Sequence, residues 1–333
     1  MTQPVVILVL AHKPAALKDL LTVLDSRFQI IVHMDSKANV QNNSFQLPRH
    51  AVMSKSQYPI FWGGFNMCLA AISLIDTAYD VSPNFKRLVL ISGDSLPTVH
   101  LDLLEESLLE KSIEIIQLID VPNDPTLRGV NISESERRHG WGQPWRFHNF
   151  VFSDDVLYDP RARDETMQKF EIPEQRVDWL RGTAHKAMRE ALARLPPRPA
   201  LFDKFFFGSQ WWALTREAVD LIIDDMHSWI SHEYFRYLHV PDEHFFHTLY
   251  GNKQRALSSL HRKTCGPLVY VDYAGAKRIP GTWPDFAMPT EGFRIAYSQH
   301  RRLFARKYDP ATSPDIAAAI VNGRYFTDVI PPT

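Results

Sequence analysis

Apolar residues fall in short unbroken runs over the first third of the chain, separated by stretches in which they recur every three or four positions. Val5 to Leu10 is a continuous, largely β-branched run, the pattern of a strand covered on both faces in a parallel sheet. Pro14 to Leu24 puts Leu17, Leu20, Leu21 and Leu24 on one face and predicts a helix. Phe28 to Met34 and Ala51 to Met53 read as further strands, and Gly63-Gly64 precede an amphipathic helix over about Phe65 to Ala78. Leu88 to Ile91 is a fourth strand ending at Ser92-Gly93-Asp94, followed by a helix over Leu101 to Leu109 and a strand over Ile113 to Leu118. Repeated β-α-β steps predict an α/β fold whose doubly wound sheet binds its ligand beyond the carboxyl ends of the strands.

The pattern changes between Asn123 and Pro199, where apolar runs thin out and Arg, Glu, His, Trp and Pro dominate. This stretch reads as an irregular insertion, with a helical segment over Arg176 to Leu195 stopped by Pro196-Pro197. Sheet character returns over Phe205 to Leu214, and Thr215 is placed to cap a helix from Arg216 to about Met226. No internal repeat or low-complexity tract is visible.

Composition narrows the partners. The chain has 333 residues, with 37 Lys+Arg against 38 Asp+Glu, a net charge of −1. Its densest basic clusters are the pairs Arg137-Arg138, Arg301-Arg302 and Arg306-Lys307, so polyanion or nucleic-acid binding has no electrostatic footprint and any anion must be held locally. Cys68 and Cys265 are the only cysteines, too few for a disulfide framework and outside metal-ligand spacing. The apolar start lacks the basic flank of a signal peptide, and no run of about 18 apolar residues suggests a membrane span. A cytoplasmic location is the expectation, with peripheral membrane contact left open.

Several common chemistries have no motif behind them. The first strand runs into Ala11-His12-Lys13-Pro14 rather than G-x-G-x-x-G, and no Walker A loop, G-x-S-x-G, H-E-x-x-H or C-x-x-C occurs. Four segments at strand ends or helix starts remain. His33-Met34-Asp35-Ser36-Lys37 offers a carboxylate for a ribose hydroxyl or base N–H, or a solvated turn. Ser92-Gly93-Asp94-Ser95-Leu96-Pro97 puts Asp94 at a sharp turn. Gly208-Ser209-Gln210-Trp211-Trp212 offers indole faces for a sugar ring, although neighbouring strand positions face opposite ways and one of Trp211 and Trp212 belongs to the core. In Pro241-Asp242-Glu243-His244-Phe245-Phe246, a carboxylate beside two Phe suits a general base, or merely complements a helix N-terminus. Near the end, Arg301 to Asp309 places cations on a short element, able to clamp a diphosphate or to form a solvated basic helix.

In this order and spacing, together with Trp62-Gly63-Gly64 and Phe304-Ala305-Arg306-Lys307-Tyr308-Asp309, the segments resemble the core-2/I-branching enzyme family, glycosyltransferase family 14, over about 5–125 and 200–310. The family includes β-1,6-N-acetylglucosaminyltransferases and peptide O-xylosyltransferases. The resemblance implies a GT-A-like Rossmann-type fold with a mostly parallel sheet. It implies transfer from a UDP-sugar to a hydroxyl of a glycan or glycoconjugate with inversion, without a cofactor or divalent metal. The family's base falls on Glu243 and its phosphate-contacting Lys on Lys307, with Arg306 and Arg262 as further diphosphate candidates. Asp35 falls on a position contacting the uridine part, with Ala11, His12, Lys37 and Asp94 around the nucleotide. Trp211, Trp212 and Asp242, with Glu136, Arg137, Trp145 and Arg146 of the middle stretch, are the sugar and acceptor candidates. One catalytic domain over 1–333 would divide into a nucleotide-sugar-binding half (1–122), an acceptor-side insertion (123–199) and a base- and diphosphate-binding half (200–333). Beside the disulfide-stapled, membrane-anchored animal members, this chain looks like a bacterial-type member. The competing readings are a non-catalytic glycan- or nucleotide-binding protein of the same fold and a two-carboxylate glycoside hydrolase.

Overall fold

A computed structural model describes residues 3–38, 46–121, 150, 154–170, 195–196, 198–199, 201–257, 262–271, 277–278, 286–287, 292–293, 295–296 and 300–322. The first part runs β1 (Val5–Ala11), α1 (Pro14–Val23), β2 (Gln29–Met34), β3 (Ala51–Met53), α2 (Asn66–Val81), β4 (Arg87–Ser92), β5 (Leu96–Pro97), α3 (Leu101–Leu109), β6 (Ile113–Ile115) and β7 (Ile119–Val121). Two helices follow, α4 (Asp154–Tyr158) and α5 (Pro160–Lys169). The last part comprises β8 (Phe205–Phe207), β9 (Trp212–Thr215), α6 (Arg216–Asp220), α7 (Ile223–His227), α8 (Trp229–Arg236), a 3-10 turn (Pro241–Glu243), α9 (Phe245–Ala256), β10 (Lys263–Cys265), β11 (Val269–Val271), β12 (Lys277–Arg278), β13 (Phe286–Ala287), β14 (Phe304–Arg306) and α10 (Asp315–Val321).

The fold is mixed α/β. Its main sheet has seven strands in the order β10-β6-β9-β4-β1-β2-β3. The β1–β2, β1–β4, β2–β3 and β6–β10 pairs are parallel, and only β9 runs antiparallel to its neighbours. Strand β1 lies near the middle, and every one of its residues is buried, as its unbroken apolar run requires. Because the chain steps outward through β2 and β3 and then returns to β4 on the other side of β1, the order reverses between β1 and β4. Open α/β sheets bind ligands beyond the carboxyl ends at such a reversal.

Some elements differ from the sequence pattern for local reasons. The apolar stretch 205–214 is two strands in two sheets: β8 pairs with β7, while β9 joins the main sheet. The chain breaks at Gly208, where a Cβ would collide with the Gln117 carbonyl and come within 2.7 Å of the His247 ring. Of the expected strand 113–118 only Ile113–Ile115 forms, as β6, and β7 begins beyond it at Ile119. The helix expected over 216–226 becomes α6 and α7. Ile222 N–H bonds Val219 C=O three residues back, tightening the backbone at the junction. Thr215 does cap α6, its hydroxyl accepting from Ala218 N–H at 3.2 Å. Helices α4 and α5 lie inside the stretch read as irregular, whereas the helix expected over 176–195 lies outside the described residues up to 194. No described helix is long and apolar enough to cross a membrane.

Candidate active site

The carboxyl ends of β1, β2 and β4 meet at the reversal. Asp35 N–H bonds Ala11 C=O at 2.8 Å and Gly93 N–H bonds Leu10 C=O at 2.7 Å, so the turns after the three strands are stitched together. Gly93 is needed there, since a Cβ would stand 2.8 Å from that of Ala11. Asp94 follows, 1 % exposed. Strand β14 brings a cation to it: Phe304 and Ala305 pair antiparallel with Pro97 and Leu96 of β5, and Tyr308 N–H donates to Asp94 C=O at 2.7 Å. Arg306 therefore projects beside Asp94, with Nε donating to Oδ1 at 3.1 Å and Nη2 to Ser92 Oγ at 3.4 Å. Burial alone would raise the Asp94 pKa, but Arg306 first, then His12, the Ser92 hydroxyl and Lys307, hold the carboxyl well below its usual range. His12, Asp94, Arg306 and Lys307 thus form one electrostatic cluster.

Asp35 sits beside this cluster in its own cage. Its carboxylate accepts from Lys37 Nζ at 2.8 Å, Lys37 N–H at 2.9 Å and Ile60 N–H at 3.1 Å, and Lys37 Nζ stands 4.4 Å over the Phe61 ring. The strap 54–60 is fixed across the end of β2 by Tyr58 N–H to His33 Nε2 (2.8 Å) and Met34 N–H to Gln57 Oε1 (2.7 Å). Accepting that N–H makes His33 the Nδ1–H tautomer, and burial pushes its pKa down to about 4.

Glu243 closes the 3-10 turn before α9. Val240 enters this turn in the left-handed region (φ 54°), its N–H bonded to the carbonyl of Gly63 (φ 71°) at 3.2 Å, so the Trp62-Gly63-Gly64 turn holds the start of the Pro241-Asp242-Glu243 turn. Glu243 N–H bonds Val240 C=O at 3.2 Å, and Glu243 C=O accepts from Gly208 N–H at 3.0 Å. Its side chain, half-buried, faces a cleft of ≈ 330 Å³ lined by Gln117, Ile119, Phe207, Ser209, Gln210, Trp211, Pro267, Val269, Tyr270, Val271, His300, Arg302 and Arg306. The Arg306 guanidinium stands 4.9 Å over the Trp211 ring, linking the cleft to the Asp94 cluster. One wall is a stacked Tyr270–His300 pair (4.6 Å, 19°). Chemically the cleft offers one carboxylate, two guanidinium groups and aromatic faces.

Glu243, Trp211 and Arg306 thus come together, with Lys307, His12 and Asp94 adjoining, and Ala11, Asp35 and Lys37 at the neighbouring strand ends. Other expectations are corrected. Trp212 is fully buried against Phe246 (5.3 Å), because on β9 it points into the core, so it offers no face to a sugar. Arg262 does not line the cleft. It donates to buried Glu114 at 3.0 Å, Thr215 Oγ1 at 2.9 Å and Lys111 C=O at 3.2 Å, beside the far strands β6 and β9. Asp242 is buried and does not line the cleft; burial first, then the charge of Asp242 and that of Asp155, keep the Cys68 thiol well above its ordinary pKa. Glu136, Arg137, Trp145 and Arg146 lie outside the described residues. Arg302, His300, Tyr270 and Gln117 line the cleft without having been singled out for it; only the Arg301-Arg302 pair gave a signal.

No curated protein matches the chain. The family model of the Core-2/I-Branching enzyme matches residues 155–284, a stretch that holds Gly208 to Trp211 and Pro241 to Glu243 and also takes in α5. The ends of β1, β2 and β4 and the Arg306-Lys307 pair fall outside the matched residues, and reach the same site through the fold. Residues 155–284 therefore match the Core-2/I-Branching enzyme, a family that implies glycosyltransferase activity.

Proposed function

We propose that the chain is an inverting, metal-independent glycosyltransferase of GT-A-like fold. It moves a sugar, N-acetylglucosamine or xylose, from a UDP-sugar to a hydroxyl of a glycan or glycoconjugate. Glu243 takes the proton of the acceptor hydroxyl as that oxygen bonds to the anomeric carbon, and the bond from that carbon to the diphosphate breaks on the opposite face, releasing UDP. One carboxylate suffices, because no glycosyl-enzyme intermediate forms. The observation carrying this reading is that Glu243, Trp211, Arg302 and Arg306 share one cleft at the sheet's reversal.

Arg306 and Lys307 stabilise the charge developing on the leaving diphosphate, and Arg302 takes the role that the sequence resemblance gave to Arg262. Asp94 serves as the anchor of Arg306. Where a D-x-D motif would hold a metal, the chain has Gly93-Asp94-Ser95, and one Asp94 oxygen is taken by a guanidinium. The nucleoside then falls toward Ala11, His12, Asp35 and Lys37, and Trp211 presents an apolar face to a sugar ring.

UDP release from a panel of UDP-sugars with candidate acceptors tests the reading. Wild-type turnover that persists in EDTA and disappears in Glu243→Gln, with UDP binding retained, is the expected result. Near-normal turnover in Glu243→Gln removes the base assignment, and loss in EDTA restored by manganese removes metal independence. UDP binding without turnover favours a non-catalytic protein of the same fold.

A further inference from the structure

The helix that follows the base turns one face entirely toward the backbone of the cleft wall. His244, the N-cap residue of α9, and His247 and Thr248 within the helix stand at positions i, i+3 and i+4. His244 Nδ1 lies 3.2 Å from Phe206 C=O, Thr248 Oγ1 accepts from Phe206 N–H at 3.2 Å, and His247 Nε2–H donates to Ser209 C=O at 3.0 Å. The Ser209 carbonyl lies between β8 and β9 and has no ladder to join. Next to it, Gly208 N–H donates to Glu243 C=O, and the His247 ring packs so closely on Gly208 that a Cβ would stand 2.7 Å from it.

Resting on the reading that Glu243 is the base, we propose that His247 is a positioning residue that locks the Gly208–Trp211 wall to the Glu243 turn. Ser209, Gln210 and Trp211 all line the cleft, so a shift of the Ser209 carbonyl moves both the wall and, through Gly208, the base. Packing alone would not select histidine. His247 is wholly buried, a cost that a leucine would avoid, and what the imidazole adds is one directional N–H. Burial also depresses its pKa to about 4, so the ring is neutral at neutral pH, and the carbonyl that it meets selects the Nε2–H tautomer. His247 touches neither donor nor acceptor in this account; it acts through Ser209 and Gly208.

Two variants separate positioning from bulk packing. His247→Leu fills the space without the donor, and His247→Gln keeps an N–H of similar reach. Steady-state UDP release and peptide-resolved hydrogen–deuterium exchange are measured on both. For His247→Leu the expectation is a kcat lower by about 10- to 100-fold with donor KM within about twofold. Exchange should quicken in peptides spanning 206–211 and 241–244 but not in 5–11 or 29–35, and His247→Gln should restore both readouts. Wild-type kcat and exchange in His247→Leu would overturn the proposal. So would equal damage in both variants with exchange raised throughout the chain, which marks a purely structural residue. A wild-type chain that releases no UDP overturns the base reading instead, while the exchange pattern still decides whether His247 couples the two segments.

Discussion

Two buried carboxylates, Asp94 after β4 and Glu114 on β6, are each paired with an arginine far away in sequence. The Glu114 site is chemically closed: its oxygens accept from Thr215 N–H (2.8 Å), Thr215 Oγ1 (2.6 Å) and Arg262 (3.0 Å), while neighbouring Arg87 spends its guanidinium on the carbonyls of Ala213, Glu110 and Ile113. The Asp94 site is less fully spent: among the described residues its buried Oδ2 has no hydrogen-bond partner, and Arg306 turns one face to Trp211 and the Glu243 cleft. Burial does not separate them, since the Arg306 side chain is 14 % exposed and that of Arg262 25 %. What separates them is whether the pair's hydrogen bonds are spent within the protein or remain directed at a space large enough for a ligand. The first arrangement stabilises; the second can act.

The sharpest way to break this contrast is at the base itself. Glu243→Gln should lower kcat by about 10²- to 10⁴-fold with an unchanged melting temperature, checked by UDP release and calorimetry. Next, Arg262→Ala removes the cation hydrogen-bonded to buried Glu114, leaving Thr215 and the neighbouring charge of Arg87. It should cost up to about 3–5 kcal/mol in urea unfolding while the UDP affinity stays within about twofold. A strong loss of UDP binding there would put Arg262 back among the diphosphate contacts. Arg302→Ala should do the reverse, weakening UDP binding by about 10- to 100-fold, equivalent to about 1.5–3 kcal/mol, with little change in unfolding.

A smaller effect concerns pH. His33 and His247 are held neutral in the folded chain, each with a pKa near 4, but take up a proton near pH 6.5 once unfolded. Between pH 6.5 and 4 the unfolded state binds more protons, so stability falls as pH falls through that window. Asp94 works in the same sense at lower pH: its depressed pKa contributes stability that is full above about pH 4 and is lost as pH falls further. Melting temperatures from pH 7 to 4.5 should therefore drop, and His33→Gln should flatten part of the drop. An identical slope in the variant would exclude His33 as a cause.

Parts of the molecule also differ in how much the sequence discloses. Strands β1, β2 and β4 are legible because an unbroken apolar run has few other uses, and their carboxyl ends drew attention to Asp35 and Asp94, whose roles, like that of Ala11, came from the family resemblance. Strand β14 was not: Arg301 to Lys307 has the charge of a solvated helix, and it is pairing with β5, some 200 residues earlier, and with β11 that makes Phe304–Arg306 a strand. Arg262 and Arg306 are indistinguishable as isolated basic residues, because Glu114 lies 148 positions from one and Asp94 lies 212 from the other. Helix α5 could have been found, since Asp159-Pro160 is a start signal and the Asp159 carboxylate accepts from Arg161 N–H at 3.1 Å. Strand alternation divides Trp211 from Trp212, but only the packing against Phe246 says which one is core.

The proposed reaction requires the cations beside the Glu243 cleft to receive the donor's diphosphate. A crystal structure of the chain with UDP tests it most directly. The account predicts diphosphate oxygens within hydrogen-bond distance of Arg306 and Lys307, with Arg302 adjoining, and the nucleoside running toward Ala11 and Asp35. UDP bound instead in the ≈ 590 Å³ groove lined by Gln57, Asn66, Arg161 and Arg236 would contradict it.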